Sequence, residues 1–430
     1  SGRPEASSTA ASTHTGALMG ADPVCDAALE RTGAVRALSF GQLCAAAEIL
    51  GSNKRANGNR LGIVTNGGGA GVLAADRAGD TRVELASLSP KTIEKLDKVL
   101  PKFWSHGNPV DVLGDAGAEE YGAAVKAVYE DPNVDGMLVL LTPQAMTDAD
   151  AIAKAVVDAL PKRRTKPVLA SFMGESSVGK AREYLSVNGI ADFATPEPAV
   201  SAFSYLALHH RNRKLALETP SPLSEMHHPD LDGARMIIDA VLADDREMLS
   251  DVESKALMRS FRIPVNMTIE AASETAALVA AETVGFPVAI KINSPDISHK
   301  SDVGGVRINI TDAAEVMVAF RSIVAAAKAA RPNARISGVT VEAMARLTGA
   351  RELVVGASRD QVFGPTILFG AGGTMVEVLQ DSAVALPPLN TVLANRLVNR
   401  TKVSRLLEAF RDRDAVDRDA VIDVLMRISD

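Results

Sequence analysis

Between residues 58 and about 216 the chain alternates short β-branched runs with amphipathic stretches. "RLGIVTN" (60–66) reads as a strand and "VLAADRAGD" (72–80) as the helix that follows it. "VDGMLVLLT" (134–142) and "KPVLASFM" (166–173) predict further strands, with helices over "DADAIAKAVVDAL" and "SVGKAREYLSVNG" between and after them. Strands regularly separated by helices predict an α/β, doubly wound parallel sheet, in which ligands gather at the carboxyl ends of the strands. Residues 1–57 hold a polar start and two helical patterns, "DPVCDAALERTG" and "SFGQLCAAAEILGS". Asp22 before Pro23 is an N-cap signal, and Ser39 and Gly51 bracket the second helix. With no clear strand, this piece reads as the tail of a domain. Proline and polar residues in "LETPSPLSEMHHPD" (217–230) mark a linker. Beyond it, the helices "GARMIIDAVLADD" and "SETAALVAAETVG" alternate with the strands "FPVAIKIN", "VRINI", "GVTVEAM", "ELVVGAS" and "TILFG", an α+β pattern.

Composition narrows the class. A chain of 430 residues exceeds a single core, and about three domains are expected. With 47% hydrophobic and 23% charged residues, it reads as an ordinary globular protein. A net charge of −7 speaks against nucleic acid, because there is no basic excess to displace counterions. Aromatics at 4% make base-stacking platforms improbable. No apolar run is long enough for a membrane span, and the start lacks the apolar core of a signal peptide. Cys25 and Cys44 form no CxxC, so a reduced, cytoplasmic setting is expected.

Several stretches carry candidate chemistry. In "TNGGGAGVLAADRAGD" the glycines Gly67, Gly69 and Gly71 follow G-x-G-x-G, not the dinucleotide spacing G-x-G-x-x-G. Exposed amides at Gly67, Gly68 and Gly69 are expected to face an anion or a partner loop; a tight βα turn without a ligand reads as well. Thr142 before Pro143 and Gln144 is a possible helix cap at a second such loop. On "FPVAIKIN", Val288, Ile290 and Ile292 share one face and Ala289, Lys291 and Asn293 the other. Lys291 between isoleucines must meet solvent or an anion, and phosphate is the natural one. The loop after it holds His299, Lys300 and Asp302 before a double glycine. Glu342, Glu352, Asp360, Glu377 and Asp381 follow around glycine-rich turns; near phosphate, such carboxylates hold Mg²⁺ or ribose, or simply face solvent. His14, in "SSTAASTHTGALMG", reads by itself as a solvated loop histidine.

Five motifs in order change that reading: "SGRPEASSTAASTHTGALMGAD", "HGNPVDVLGDA", "LVLLTPQAMT", "AIKINSPDISHKSDVGGV" and "FGPTILFGAGGTMVEVLQDSAVALPPLN". Together they resemble the NDP-forming acyl-CoA synthetase superfamily, similar to ADP-forming acetate–CoA ligase and succinyl-CoA synthetase, over essentially the whole chain. The resemblance implies flavodoxin-like doubly wound domains of succinyl-CoA synthetase type joined to an α+β ATP-grasp domain. The expected boundaries are 1–57 for the C-terminal part of the phosphohistidine domain, 58–216 for a second flavodoxin-type domain and 217–430 for the ATP-grasp domain.

The resemblance further implies the reaction acyl-CoA + ADP + Pi ⇌ carboxylate + CoA + ATP, through an acyl phosphate and a phosphohistidine. His14 matches the phosphorylated histidine and His299 a second histidine that relays phosphate. Lys291 would meet ATP phosphates, and Glu342 and Glu352 the base and ribose region. The Gly67–Gly69, Thr142 and Gln144 loops would face the phosphohistidine, and Glu377 and Asp381 are candidate metal ligands. ATP or ADP, Mg²⁺ and coenzyme A are the implied cofactors and substrates. The implied partners are a small carboxylic acid and phosphate, in a homo-oligomer or with further domains, without nucleic acid or membrane. Relatives begin with a CoA-binding domain and close with a D-x-N-P-L strand, neither of which is found, so the chain is expected to be a fragment. The alternative is the ligand-sensing synthetase-like region of a fused protein lysine acetyltransferase. The acyl group and the choice between ADP and GDP stay open.

Overall fold

A computed structural model of the chain describes residues 21–52, 54–217, 228–345, 350–373, 381–411 and 413–430. His14 and Glu377 lie outside the described residues. The chain divides into two compact units, Ser1–Thr219 and Pro220–Asp430.

The first unit runs α1 (Asp22–Arg31), α2 (Phe40–Gly51), β1 (Arg60–Thr65), α3 (Gly68–Asp80), β2 (Glu84–Leu85), α4 (Pro90–Val99) and β3 (Val110–Asp111). It continues with α5 (Ala118–Glu130), β4 (Gly136–Leu141), α6 (Ala149–Asp158), β5 (Val168–Phe172), α7 (Glu175–Val187), β6 (Ala191–Asp192) and α8 (Pro196–Leu217). Every strand pair is parallel. The order is β2-β1-β4-β5-β6, with β3 paired to the end of β1. The sheet is buried on both faces, as parallel sheets are. Along β4, Leu138 and Leu140 pack with Ile49, Ala74 and Phe203 of α2, α3 and α8. Met137, Val139 and Leu141 point the other way, against Tyr121, Ile152 and Leu185 of α5, α6 and α7. This two-sided burial is why the strand is a continuous apolar run and not an alternating one. The chain moves outward from β1 to β2 on one side and from β4 to β6 on the other. The β1–β4 junction is thus the switch point, where a crevice opens beyond the strand ends.

Ser39 caps α2 as expected, its Oγ accepting from Gln42 N at 3.2 Å. Two capping expectations are corrected. Asp22 is the first residue of α1, with Ala21 at the N-cap, and its carboxylate meets Arg36 Nη2 at 2.5 Å. Thr142 caps nothing: α6 starts at Ala149, where Asp148 Oδ1 accepts from Ala151 N at 3.0 Å. Asp148 is the better cap because its carboxylate reaches back to the amides of the first turn.

The second unit contains α9 (Leu231–Ala243), α10 (Asp251–Ser260), β7 (Thr268–Ala271), α11 (Glu274–Val284), β8 (Val288–Asn293), β9 (Val306–Ile310), α12 (Ala313–Ala330) and β10 (Gly338–Ala343). After these come β11 (Leu353–Asp360), β12 (Gly364–Ala371), β13 (Ser382–Ala385), α13 (Thr391–Asn399) and α14 (Arg418–Ser429). Two antiparallel sheets result, β7-β10-β8-β9 and β11-β12-β13. Helices α11 and α12 cover the first, burying Ala281, Val316 and Ile323 against Ile290, Ile292 and Val341. Helices α13 and α14 cover the second, through Leu397 and Leu425 against Phe369. Short strands such as β7 and β13, four residues each, escaped the sequence reading because so few residues show no clear alternation.

Candidate active site

On the first sheet of the second unit, β8 and β10 pair antiparallel with Lys291 opposite Thr340 and Ala289 opposite Glu342. Lys291 and Glu342 are therefore diagonal neighbours on one face, within reach of long side chains. Lys291 Nζ donates to Glu342 Oε2 at 2.9 Å, while Lys255 of α10 lies 3.0 Å from Oε1 as an ion pair. Lys255 Nζ also donates to Thr268 Oγ1 at 2.5 Å. The Glu342 side chain is 5% exposed. Burial pushes its carboxyl up, but hydrogen bonds and charge from Lys291 and Lys255 pull it further down, below the ordinary glutamate value. The anion that Lys291 meets is thus a carboxylate of the protein. Two ammonium groups share that carboxylate, and Glu270 of β7, opposite Thr340, adds a second carboxylate to the same face. Beside Lys291, Thr340 Oγ1 is buried without a hydrogen-bond partner among the described residues. A lysine ammonium beside an open hydroxyl suits a phosphate-bearing ligand.

His299 is exposed on the loop from β8 to β9, at the head of a short 3₁₀ turn, Lys300–Val303. The loop is pinned on both sides of the histidine. Asp296 accepts from Arg335 N, Nε and Nη2 at 2.7, 3.2 and 2.9 Å, and Lys300 pairs with Asp251. Gly304 adopts φ +64°, and a Cβ on Gly305 would stand 2.7 Å from both Ile292 Cγ2 and the Lys300 carbonyl. The double glycine is what lets the loop turn tightly back into β9. The imidazole is thereby presented to solvent on a braced loop.

Glu352 lies elsewhere in this unit, just before β11. Its carbonyl accepts from Gly372 N at 2.8 Å. Asp381 is a structural cap: its two carboxylate oxygens accept from Lys402 N and Val403 N at 2.7 and 2.6 Å. Among the described residues no three His, Cys, Asp or Glu side chains cluster as a metal site.

In the first unit the loops after β1, β3 and β4 converge at the switch point. Asn66 ties two of them together, donating to the Thr142 carbonyl at 2.9 Å and accepting from Thr142 N at 2.8 Å. A Cβ on Gly67 would fall 2.6 Å from Thr142 Oγ1, and one on Gly114 2.5 Å from Gln144 Nε2. Gly67, Gly68, Gly69, Thr142 and Gln144 are therefore brought to one place. Thr142 Oγ1 is buried there without a partner among the described residues. Gly68 and Gly69 are exposed at the N-terminus of α3, whose first amides have no intrahelical partner. Asp111, which the sequence reading did not single out, also stands here, within 3.2 Å of where a Gly68 Cβ would be. Lys255 and Asn66 were missed as well. Lys255 lies in no glycine-rich motif, Asn66 only borders the glycines of one, and the fold alone shows what each of them binds.

Comparison with known proteins places these features in a family. Residues 1–50 match a succinyl-CoA ligase like flavodoxin domain, residues 61–209 a Ligase-CoA domain and residues 240–430 an ATP-grasp domain. The chain is 36% identical, over its whole length and 60% of the relative's, to acetate–CoA ligase [ADP-forming] I of Archaeoglobus fulgidus. It is 32% identical, again over its whole length and 60% of the relative's, to 4-hydroxybutyrate–CoA ligase [ADP-forming] of Nitrosopumilus maritimus. Against the beta subunit of acetate–CoA ligase [ADP-forming] I of Pyrococcus furiosus it is 35% identical, over 46% of this chain and 84% of the subunit. The chain thus spans about 60% of the length of the first two relatives. With three domain matches in order and this level of identity, the chain belongs to the NDP-forming acyl-CoA synthetase superfamily.

Proposed function

We propose that the chain is the phosphoryl-carrying part of an ADP-forming acyl-CoA ligase, which catalyses acyl-CoA + ADP + Pi ⇌ carboxylate + CoA + ATP. The observation that carries this reading is whole-length likeness, at 36% and 32% identity, to two ligases named for that nucleotide product. The reading as a sensing region of a fused acetyltransferase has no support in these relatives. We assign domains at 1–57, 58–216 and 217–430; the three family matches and the division of the chain near residue 219 support these limits.

The steps follow from the chemistry. Phosphate oxygen attacks the thioester carbonyl and CoA leaves as the thiol, giving an acyl phosphate. A ring nitrogen of His14 attacks its phosphorus, and the carboxylate leaves. An oxygen of the ADP β-phosphate then takes the phosphoryl group, directly or through His299, and the imidazole is restored. His299 is exposed on a braced loop, where it can accept and release a phosphoryl group. Lys291 meets the nucleotide phosphates, with Glu342 holding its ammonium in place; Glu352 serves the base and ribose region. The Gly67–Gly69, Thr142 and Gln144 loops receive the phosphohistidine. Asp111 makes that crevice partly negative, so the loop amides have to offset it. Mg²⁺ enters with the nucleotide. Asp381 accepts from two backbone amides, Glu377 lies outside the described residues, and no step is routed through a protein-held ion.

We place the enzyme in the cytoplasm, in an assembly with further domains or copies. Cys25 and Cys44 are free. No helix among the described residues is long and apolar enough to cross a membrane. A relative built from subunits supports the assembly.

The test is incubation with γ-labelled ATP and Mg²⁺, followed by assay for acid-labile, base-stable label. Label that is lost in His14→Ala supports the reading, and loss in His299→Ala supports the relay. Equal label in wild type and both variants overturns the histidine assignments. Nucleotide binding without any label overturns the ligase reading.

A further inference from the structure

The opposite edge of the parallel sheet carries a feature that this reaction does not use. Lys54 and Arg55 precede β1, the run "PKRRTKP" (161–167) precedes β5, and Asn188–Gly189 precede β6. These segments line a cleft of about 990 Å³, within the size range of small-molecule sites. The switch-point loops lie beyond the carboxyl ends of the strands; this cleft lies before their amino ends.

Its lining is strongly cationic. Lys54, Arg55, Lys162, Arg163, Arg164 and Lys166 face a single lining carboxylate, Asp158. Among the described residues the first five form no ion pair. Lys166 is the exception in bonding, donating to the carbonyls of Tyr129 and Asp131 at 2.8 and 2.6 Å. Arg164 Nε is buried without a hydrogen-bond partner among the described residues. Arg164 is also close enough to Lys54 to repel it. Burial, then that repulsion, push the Lys54 ammonium below its ordinary value, with Glu48 only partly offsetting them. Burial likewise lowers Arg164. Two like charges withdrawn from water without a carboxylate between them are costly. Here one lining carboxylate, Asp158, stands against six cations, so the rest of the complement has to come from a ligand.

We propose that this cleft is a second anion site, which binds a phosphate-bearing small molecule of nucleotide size. Lys54 and Arg164 hold the phosphates at its inner wall, and Arg55, Lys162 and Arg163 form the rim. The guanidinium of Arg164 suits phosphate because its planar fork donates in pairs. An oligophosphate is favoured over a single phosphate because the cleft is large and its cations are spread over two segments. The proposal is independent of the ligase reading, since it concerns no step of that reaction.

Inorganic pyrophosphate is the probe, titrated calorimetrically into the 430-residue chain. The expected result is saturable binding that weakens at least about tenfold in K54Q/R164Q. Unchanged affinity in that variant, or no binding to wild type, overturns the proposal. A second measurement needs no variant: acetylation of Lys54 by acetic anhydride, followed by peptide mass spectrometry. Pyrophosphate should slow it severalfold while leaving Lys98, an exposed control, unaffected. Equal Lys54 rates with and without pyrophosphate count against the site. Stronger protection by ATP or by CoA sustains the site and identifies its organic body. Protection by oligoglutamate, but by none of the phosphates, would assign the cleft to an acidic protein segment and sink the proposal.

Discussion

Lys291 and Lys54 are both partly withdrawn from water, one on the antiparallel sheet of the second unit and the other at the amino edge of the parallel sheet. Lys291 is within 2.9 Å of a carboxylate that also serves Lys255. Lys54 has Arg164 for a neighbour and no carboxylate within ion-pair distance among the described residues. Desolvation is comparable in kind, but only Lys291 has a carboxylate within ion-pair distance among the described residues. A buried cation with an internal partner can preorganise without ligand; one without it depends on what binds. The same residue type thus indicates a braced site in one region and an unmet electrostatic demand in the other.

The largest break in that contrast is Glu342→Gln. It leaves Lys291 and Lys255 facing each other over a neutral amide. Because both lysines retain some solvent contact, the expected loss is roughly 2–3 kcal/mol, at or below the low end for a broken buried pair. Hydrogen exchange of the β8 and β10 amides reads it, and unchanged protection would mean that the carboxylate is not structurally coupled to the lysines. Lys291→Met should cost less, about 1–2 kcal/mol, because Lys255 still serves the carboxylate. Combined with Glu342→Gln it should be clearly non-additive in a double-mutant cycle.

Acid breaks the same contact reversibly. Glu342 is held below the ordinary value of 4.5, so its contribution is complete above that pH and disappears as pH falls through the lower, folded-state value. Glu253 behaves alike. Its hydrogen bonds with Arg246 lower it to about 2, so stability is lost between pH 4.5 and about 2 and not near neutrality. A titration with a stability step at pH 6–7 assigned to these residues would contradict the pairing. The smallest effect is expected for Lys54→Gln without ligand. Removing an unpaired, repelled charge should change stability by no more than about 0.5 kcal/mol, or raise it. A clear destabilisation, weakened by salt, would show that Lys54 has an internal partner after all.

Much of the scaffold was legible because the local signals agreed with one another. The β1, β4 and β5 runs, the Ser39 cap and the two-faced "FPVAIKIN" strand each combine residue type, spacing and boundary residues in a few positions. Thr142–Pro143 misled because a cap signal at a strand end looks the same whether or not a helix starts at once. Asp148, six residues later, settled where α6 begins. The candidate site was legible only where it lies inside a motif. His299, Lys291 and Glu342 stand on or beside strands that pair, and the glycine and "TPQ" loops meet at the switch point. His14 rests on the resemblance and on the proposed label assay.

By itself the sequence determined the alternation of elements, the class of each unit, the family and the places where phosphate chemistry could reside. Those are local or ordered properties, written in periodicity, caps and motifs. Only the tertiary structure decided that Lys255 shares Glu342 with Lys291, that Asn66 ties β1 to β4, that Asp381 is a cap and that "PKRRTKP" meets Lys54. Each depends on residues between 21 and more than 100 positions apart. Charge and hydrogen-bond energies fall off over a few ångströms of space, and linear order does not encode that distance.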